Sequence, residues 1–203
     1  MALWFSVRVV CQLQVIKAMS VPIELETERL RLRQWKAADR EPFAALNADP
    51  VVMEYFPAPL TREKSDAMAD YCERLIAERG WGAWATEIKA TGEFIGLVGL
   101  NIPRADLPMS PCVEVLWRLA HPYWRNGFAT EAARASLRVG FDVVGLSEIV
   151  SFTVPANVRS RAVMERLGMK MDSVTFEHPG VPVGHVLRTH CNYRLSRESW
   201  LAV

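Results

Sequence analysis

The middle of the chain alternates a strand, a helix and a second strand, and this order constrains the fold more than any other feature. Val113–Leu119 (VEVLWRL) and Glu148–Val154 (EIVSFTV) have the composition of strands, the second of the fully buried type. Between them, apolar residues recur four apart, which predicts a helix from about Phe128 to Val144. Because a strand, a crossover helix and a second strand in one sheet form a parallel pair, the segment predicts parallel strands at the centre of a sheet.

The flanking segments predict antiparallel neighbours and further helices. Gly82–Lys89 and Phe94–Asn101 are separated by a tight turn and predict a hairpin. A strand is predicted over Thr27–Gln34, with Leu30 and Leu32 inward and its arginines on the opposite face. Helices are predicted after the cap Asp39, from Thr61 to Gly80 and from Asn157 to Leu167. The remaining predicted elements are an exposed proline-rich loop over Pro103–Pro111, strands over Met171–Glu177 and Val186–Leu195, and a tail from Arg197 to Val203. Together they predict an α/β fold: one mixed, mostly antiparallel sheet with helices on both faces.

A single domain accounts for the length of the chain. The 203 residues contain neither an internal repeat nor a low-complexity linker. The patterned domain is expected over residues 21–203, and residues 1–20 are expected to be a loosely ordered N-terminal extension. Met19 is a plausible alternative start.

Charge and cysteine usage narrow the function classes. The formal net charge is +1 without a long run of one sign, which predicts neither a nucleic-acid partner nor a membrane surface. The four cysteines form no C-x-x-C pair, and the four histidines show no metal-ligand spacing, so no metal is expected. Free thiols are typical of a reducing compartment, and a cytoplasmic location is expected.

The segment Trp124–Ala132 (WRNGFATEA) carries the clearest chemical pattern. It lies where a strand and a short turn lead into the central helix. Gly127 lets the backbone approach a ligand closely, and the first turn of a helix leaves amide N–H groups without partners at the positive end of the helix dipole. This geometry binds phosphate, and Arg125 is placed to add a charged contact.

The chain resembles the GNAT superfamily of N-acetyltransferases, in the branch of ribosomal-protein N-terminal acetyltransferases. The pyrophosphate loop of that family follows Q/R-x-x-G-x-G/A, and Trp124–Ala129 matches it with the tryptophan that this branch places first, although the branch often has glycine where Arg125 stands. Further pieces agree in order and spacing: ETERLRLR at 26–33, GEFIGLVGL at 92–100, FDVVGLSEI at 141–149, NVRS at 157–160, ERLGM at 165–169, and Tyr193 to Leu195 with Trp200.

The resemblance implies acetyl-CoA as the acyl donor and a GNAT fold in which the two central parallel strands splay apart. The pantetheine arm of the cofactor then fills the gap and bonds to exposed backbone of the first strand. The cofactor-binding residues that it implies are Trp117, Leu119, Trp124, Arg125, Asn126, Gly127, Phe128, Ala129, Thr130, Asn157 and Ser160.

The expected reaction is direct attack of an amine on the thioester, without a covalent enzyme intermediate. It requires positioning of both reactants and an acceptor for the amine proton. Glu114 is the candidate base, because it is the one acid in its strand and the family often places a base there; a solvent-facing or ion-paired glutamate is the competing interpretation. Ser160 is the candidate acid for the leaving thiolate, with a purely structural role at the helix end as the alternative, since Met164 stands where many family members have a tyrosine.

Three functions stay open at this point. The branch implies acetylation of a protein N-terminal amine. The superfamily also contains enzymes that acetylate small-molecule amines, such as an amino acid, a polyamine or an antibiotic. A non-catalytic acyl-CoA-binding module is the third possibility, and a monomer or a homodimer is expected in each case.

Overall fold

The computed structural model describes residues 21–202, so the expected extension over residues 1–20 lies outside the described residues. Within them, eight strands form one sheet in the order β1-β2-β3-β4-β5-β6-β8-β7. The strands are β1 Leu25–Glu26, β2 Leu30–Arg33, β3 Ala83–Ile88, β4 Phe94–Asn101, β5 Glu114–Leu119, β6 Glu148–Thr153, β7 Lys170–Glu177 and β8 Thr189–Ser196. The α-helices are α1 Arg40–Ala48, α2 Arg62–Arg79, α3 Phe128–Arg138, α4 Val158–Arg166 and α5 Arg197–Leu201.

The sheet is mixed and mostly antiparallel, which confirms the predicted fold class. Strands β1 to β5 pair antiparallel in sequence order, and β6, β8 and β7 form a second antiparallel group. The two groups join through β5 and β6, which are parallel and connected by α3. The strand–helix–strand segment therefore folds as its pattern predicts.

The helices cover both faces of the sheet. Arg118 on β5 contacts Met68 of α2, so the face of β5 that carries Glu114, Leu116 and Arg118 lies toward α1 and α2. Leu100, which pairs with Val115 on the other face, lies against the turn after α3: a Cβ on Gly140 there would stand 3.2 Å from Leu100 Cδ1. The large apolar side chains buried between these layers form one core.

Local sequence explains where several helices begin and end. The Thr61 hydroxyl accepts a hydrogen bond from the Lys64 amide at the start of α2, and Gly80 ends that helix in a left-handed conformation. Asn157 caps α4 by accepting a hydrogen bond from the Ser160 amide. These caps confirm the predicted boundaries.

Asp39 precedes α1 as predicted, but the prediction that its side chain caps the helix was wrong. The prediction that all arginines of β2 point outward was also wrong. Arg33 is buried, and its guanidinium binds both carboxylate oxygens of Asp39 at 2.7 and 2.8 Å and Glu87 Oε2 at 2.6 Å. The Asp39 side chain also accepts from the Lys36 amide, and it makes no cap bond to α1. A buried ion cluster therefore takes the place of the predicted cap, because its two carboxylates neutralise an arginine that the sheet encloses.

Further boundaries, and the exposure of one loop, differ from the sequence predictions. The last strand begins at Thr189, because residues 178–188 form a turn-rich connection, and the predicted tail contains the short helix α5, capped by Ser196. The long helix loses regular α geometry at Arg138 and continues as a π-helical turn over Val139–Val143. The proline-rich loop is not exposed throughout, since Leu107 packs inward.

Candidate active site

The parallel strands β5 and β6 touch at one end and diverge at the other. In the described chain the ladder between them contains the single pair Glu114–Val150, supported by the Val150 amide donating to the Val113 carbonyl at 2.9 Å. The Ala120 amide donates to Ile95 on β4, and bonding direction alternates along an antiparallel strand. The backbone polar groups of Val115, Trp117 and Leu119 therefore face the gap, as the sequence resemblance implied for Trp117 and Leu119.

A sharp turn leads from β5 into α3. Gly127 has φ of 80° and Arg125 has φ of 65°, both in the left-handed region. The Glu131 amide donates the first bond of the helix, to the Gly127 carbonyl at 3.0 Å. The amides of Phe128, Ala129 and Thr130 precede this bond and are therefore left without intrahelical acceptors, at the positive end of the helix dipole. The turn has the geometry of an anion-binding helix N-terminus.

A contact from the beginning of the domain braces this turn. The Arg29 guanidinium forms an ion pair with Glu131 at 2.6 Å, donates to the Asn126 carbonyl at 3.0 Å and stacks on the Phe128 ring at 4.7 Å. The Thr27 hydroxyl also donates to Glu131 Oε1 at 2.6 Å. These bonds hold the pKa of Glu131 below its ordinary value against the opposing effect of its partial burial.

Trp124 connects the turn to the open strand. Its indole N–H donates to the Leu119 carbonyl at 2.7 Å, and the guanidinium of Arg159, on α4, stacks on its ring at 4.9 Å. The Leu119 carbonyl is therefore already bonded, and Val115 adjoins the Glu114–Val150 pair, which leaves Trp117 as the better position for a ligand that bonds to the strand edge. This contact gives the tryptophan of the WRNGFA segment a physical role.

Asn157 and Ser160 lie at the start of α4, across the gap from β5. Asn157 accepts from the Ser160 amide at 3.2 Å and donates its side-chain N–H to the Thr153 hydroxyl at 3.1 Å. Ser160 is partly exposed and lines the cleft, whereas Met164 is buried in the core. Tyr193, on the neighbouring strand, hydrogen-bonds to Arg161 and Glu165.

Glu114 stands where β5 and β6 meet. Its Oε1 accepts a hydrogen bond from the Asn101 side chain at 2.8 Å. Burial raises the pKa of Glu114 to about 7, although the Asn101 bond opposes the shift. The side chain is half-buried in the wall of the cleft, and among the described residues it forms no ion pair with an arginine or lysine. A carboxyl group with this pKa is suited to accept a proton near neutral pH.

One cleft of about 1700 Å³ joins these features. Among the residues predicted from sequence, Asn126 lies outside its lining: its side chain bonds back to the Trp124 carbonyl and shapes the turn. All the other residues predicted from sequence line the cleft: Glu114, Trp117, Leu119, Trp124, Arg125, Gly127, Phe128, Ala129, Thr130, Asn157 and Ser160.

Among the polar residues of the cleft that sequence reasoning missed, two lie beside Glu114 or on its face of β5. Asn101 faces Glu114 across the β4–β5 pair, and Arg118 lies on the same face of β5 as Glu114. The register of β4 against β5 would have identified Asn101, but the long loop between the strands does not determine that register. Among residues 21–202, no cluster of three or more histidine, cysteine, aspartate or glutamate side chains is arranged to hold a metal. None of the described helices is both long and apolar enough to span a membrane.

A split strand pair beside an unpaired helix N-terminus fits an extended thiol carrier with a diphosphate at one end. The open strand edge offers backbone bonds to an amide-rich arm, and the turn before α3 offers N–H groups to the diphosphate. The fold and the cleft thus have the features that the sequence resemblance implied for an acyltransferase that takes its acyl group from coenzyme A.

Comparisons with known proteins agree with this class. Residues 29–170 match the family model described as the acetyltransferase (GNAT) domain. The uncharacterised protein YkkB of Bacillus subtilis is 32% identical over 154 residues, 74% of this chain and 87% of that protein. The FsC-acetyl coenzyme A-N(2)-transacetylase of Aspergillus fumigatus is 30% identical over 184 residues, 87% of this chain and 77% of that protein. The crystal structure of an acetyltransferase from Agrobacterium tumefaciens superposes with a TM-score of 0.69 at 29% identity, covering 87% of this chain and 95% of that one.

The chain belongs to the GNAT family of acetyltransferases. It is an acetyl-CoA-dependent N-acyltransferase. Its assignment to the ribosomal-protein branch stays a prediction.

Proposed function

We propose that the protein acetylates a primary amine of a small molecule by direct transfer from acetyl-CoA, with Glu114 as the base. The observation that carries this proposal is the position of Glu114. It lies at the single β5–β6 pair, on the α1–α2 face of the cleft, with its pKa raised by burial to about 7. A proton acceptor thus stands at the vertex of the gap into which the acyl donor fits.

The turn before α3 is proposed to bind the diphosphate through the amides of Phe128, Ala129 and Thr130. Arg125, exposed at the rim, adds a charged contact. The backbone of Trp117 bonds to the pantetheine arm along the open edge of β5, and Asn157 orients α4 against the other side. When bound, acetyl-CoA supplies the activated acetyl group.

Glu114 is proposed to accept the proton of the amine, directly or through one water. A primary amine has a pKa between ~8 for an α-amine and ~10 for an alkylamine, so most of the acceptor is protonated at neutral pH and must lose a proton before it reacts. A carboxyl group with a pKa of about 7 is ionised at pH 8 and is much closer to the amine in basicity than an ordinary glutamate. The Asn101 amide holds the carboxylate in place.

Ser160 is proposed to donate a proton or a hydrogen bond to the leaving thiolate. It lines the cleft in the first turn of α4, and its backbone is held by Asn157. Met164 is buried in the core and has no proton to donate, so a tyrosine-like acid is missing at that position. A Ser160→Ala enzyme with normal kcat would reject this role.

The acceptor is proposed to be a small molecule because of the Aspergillus relative, whose name describes N(2)-transacetylation of FsC from acetyl coenzyme A. That relative covers most of this chain. A protein N-terminus is the alternative, and the predicted cytoplasmic location and monomeric or homodimeric state are compatible with either acceptor.

A thiol-release assay tests the proposed function. The protein is incubated with acetyl-CoA and two panels, small primary amines and short peptides with free N-termini. We expect turnover with members of the first panel and a loss of roughly a hundredfold in kcat/KM for Glu114→Gln. Glu78→Gln, on the exposed side of α2, is the matched control and keeps full activity. Turnover with peptides alone would replace the small-molecule acceptor with a protein one, and thermal stabilisation by acetyl-CoA without turnover on any amine would indicate a binding module.

A further inference from the structure

Arg118 is an unusual arginine in the wall of the cleft. It projects from β5 on the same face as Glu114 and lines the cavity between β5 and the first two helices. Its guanidinium donates to Asn47 Oδ1, lies 3.7 Å from the sulfur of Met68 and stacks on the Phe56 ring at 4.2 Å. The cation is therefore held mainly by apolar and neutral groups.

Among residues 21–202, Arg118 forms no ion pair with a carboxylate, and its buried Nε finds no hydrogen-bond partner. Arg33, which is buried, shows the usual arrangement, with Asp39 and Glu87 bound to its guanidinium. Arg118 is half-buried with an inaccessible Nε, and a partly desolvated charge without a counter-ion costs free energy, because its lost hydration is not replaced. Burial lowers the pKa of Arg118 to about 10, so the group is still charged at neutral pH.

The neighbours of Arg118 hold it toward the cavity. Asn47 is fully buried, and its amide N–H donates to the Ser65 hydroxyl at 2.9 Å, which fixes its oxygen toward the guanidinium. One of five N–H donors is thereby satisfied by Asn47. The guanidinium thus has a fixed orientation and spare donors beside an open cavity.

We propose that Arg118 binds a carboxylate of the acceptor, so that the preferred substrates are amines that also carry a carboxylate group. This inference rests on the proposed function and names its substrate class. The planar fork of a guanidinium matches a carboxylate in two parallel hydrogen bonds. The guanidinium of Arg118 contributes one positive charge among apolar and neutral neighbours, and a carboxylate monoanion bound to it neutralises that charge without leaving an excess negative charge beside it.

The strand sets the separation between the two ends of this acceptor. Glu114 and Arg118 lie four residues apart on β5, which places their Cα atoms about 13 Å apart along the strand. The amine lies at the Glu114 end, where the acyl group arrives, and the carboxylate lies toward Arg118. The acceptor is therefore expected to carry its carboxylate several bonds away from the reactive amine.

Matched pairs of acceptors test the inference. A series of ω-amino carboxylates from 3-aminopropanoate to 8-aminooctanoate is compared with alkylamines of equal length and with the corresponding ω-amino phosphonates. For the unmodified enzyme we expect kcat/KM at least tenfold higher for the best carboxylate than for its uncharged partner, mainly through KM, because a charge-assisted pair contributes about this much or more.

Substitutions at Arg118 assign the preference to this side chain. Arg118→Gln is expected to remove the preference for the carboxylate while the KM for acetyl-CoA is unchanged, and Arg118→Lys to restore part of it. Arg104→Gln is the control, because Arg104 is exposed on the same side of the cleft and stacks on Tyr71 at 3.7 Å. Circular dichroism confirms that each variant is folded, and calorimetric titration of 6-aminohexanoate into the unmodified protein with coenzyme A measures binding without turnover.

The outcomes separate this inference from the proposed function. Equal kcat/KM for carboxylated and uncharged amines of the unmodified enzyme would overturn the role of Arg118 and leave amine acetylation intact. A preference for the phosphonates, or a carboxylate preference that survives in Arg118→Gln, would also overturn it. Acetyl-CoA binding without acetylation of any amine would overturn both.

Discussion

Glu114 lies in the wall of the cleft and has one hydrogen-bond partner, Asn101. Its protonation state is therefore expected to control the rate of acetyl transfer. With a pKa of about 7, the carboxyl is protonated below neutral pH and cannot accept the proton of the amine. We expect kcat/KM to rise with pH and to level off above about pH 7, after correction for the ionisation of the amine. Glu114→Gln can still accept the Asn101 hydrogen bond, but its kcat/KM is expected to lose the rise with pH. An unchanged pH profile in that variant would remove Glu114 from the mechanism.

The same pKa has a consequence for stability that separates a catalytic from a structural effect. A carboxyl whose pKa is raised in the folded state favours folding below its unfolded pKa, and that contribution is lost as pH rises through about 7. At pH 8 the ionised group opposes folding, so Glu114→Gln is expected to keep or raise Tm while it loses activity. Thermal unfolding at pH 5 and pH 8 measures this, and a fall in Tm at pH 8 would indicate that the variant damages the fold.

Gly127 sets the backbone conformation of the turn that is proposed to bind the diphosphate. Its φ of 80° is unfavourable for any side chain with a Cβ, at a cost of about 1 to 2 kcal/mol. We expect Gly127→Ala to raise the KM for acetyl-CoA several-fold and to lower stability by this amount. Gly92→Ala is a matched control, because Gly92 also has positive φ, 72°, but lies in the β3–β4 turn. Equal effects of the two substitutions on the cofactor KM would argue against diphosphate binding at this turn.

Among the secondary-structure elements, β2 carries a buried ion cluster. Arg33 lies between Asp39, before α1, and Glu87 of β3. Arg33→Met removes the ion pairs to two buried carboxylates and leaves Glu87 with its longer pairs to Arg31 and Lys36, and we expect a loss of about 3 to 5 kcal/mol in the free energy of unfolding. Arg31, two residues earlier on the same face, is 40% exposed and pairs with Glu26 as well as with Glu87, so Arg31→Met is expected to cost less, about 1 kcal/mol. Urea denaturation of both variants compares them, and similar losses would contradict the assigned role of the buried cluster.

The elements also show how far the sequence alone determines this structure. Periodicity and capping residues predicted the strand order through the central crossover and the bounds of α2 and α4, because those features are local. The burial of Arg33 could not be predicted, since its partners come from segments 6 and 54 positions away along the chain. Arg118 was missed for the same reason: it belongs to a strand of mixed polarity, and its environment exists only once α1 and α2 pack against β5. The turn at Gly127 was found because its pattern is contiguous.

The whole molecule has a sheet of two groups of strands that meet at one backbone pair between β5 and β6. A ligand that fills the gap bonds to both sides and stabilises the native state only. At a free concentration 100 times its Kd, acetyl-CoA or coenzyme A is expected to add about 2.7 kcal/mol, or ~5 to 10 °C in Tm. Differential scanning fluorimetry measures the shift in Tm. Pantetheine, which lacks the nucleotide diphosphate, is the comparison ligand at the same free concentration. A pantetheine shift as large as that of coenzyme A would indicate that the turn before α3 contributes little.

The brace from Arg29 to Asn126 joins positions 97 residues apart. The turn before α3, which is proposed to bind the diphosphate, is therefore held in position by the connection between β1 and β2. We therefore expect fusions or truncations close to residue 26 to raise the KM for acetyl-CoA while the circular dichroism spectrum of the folded protein stays the same.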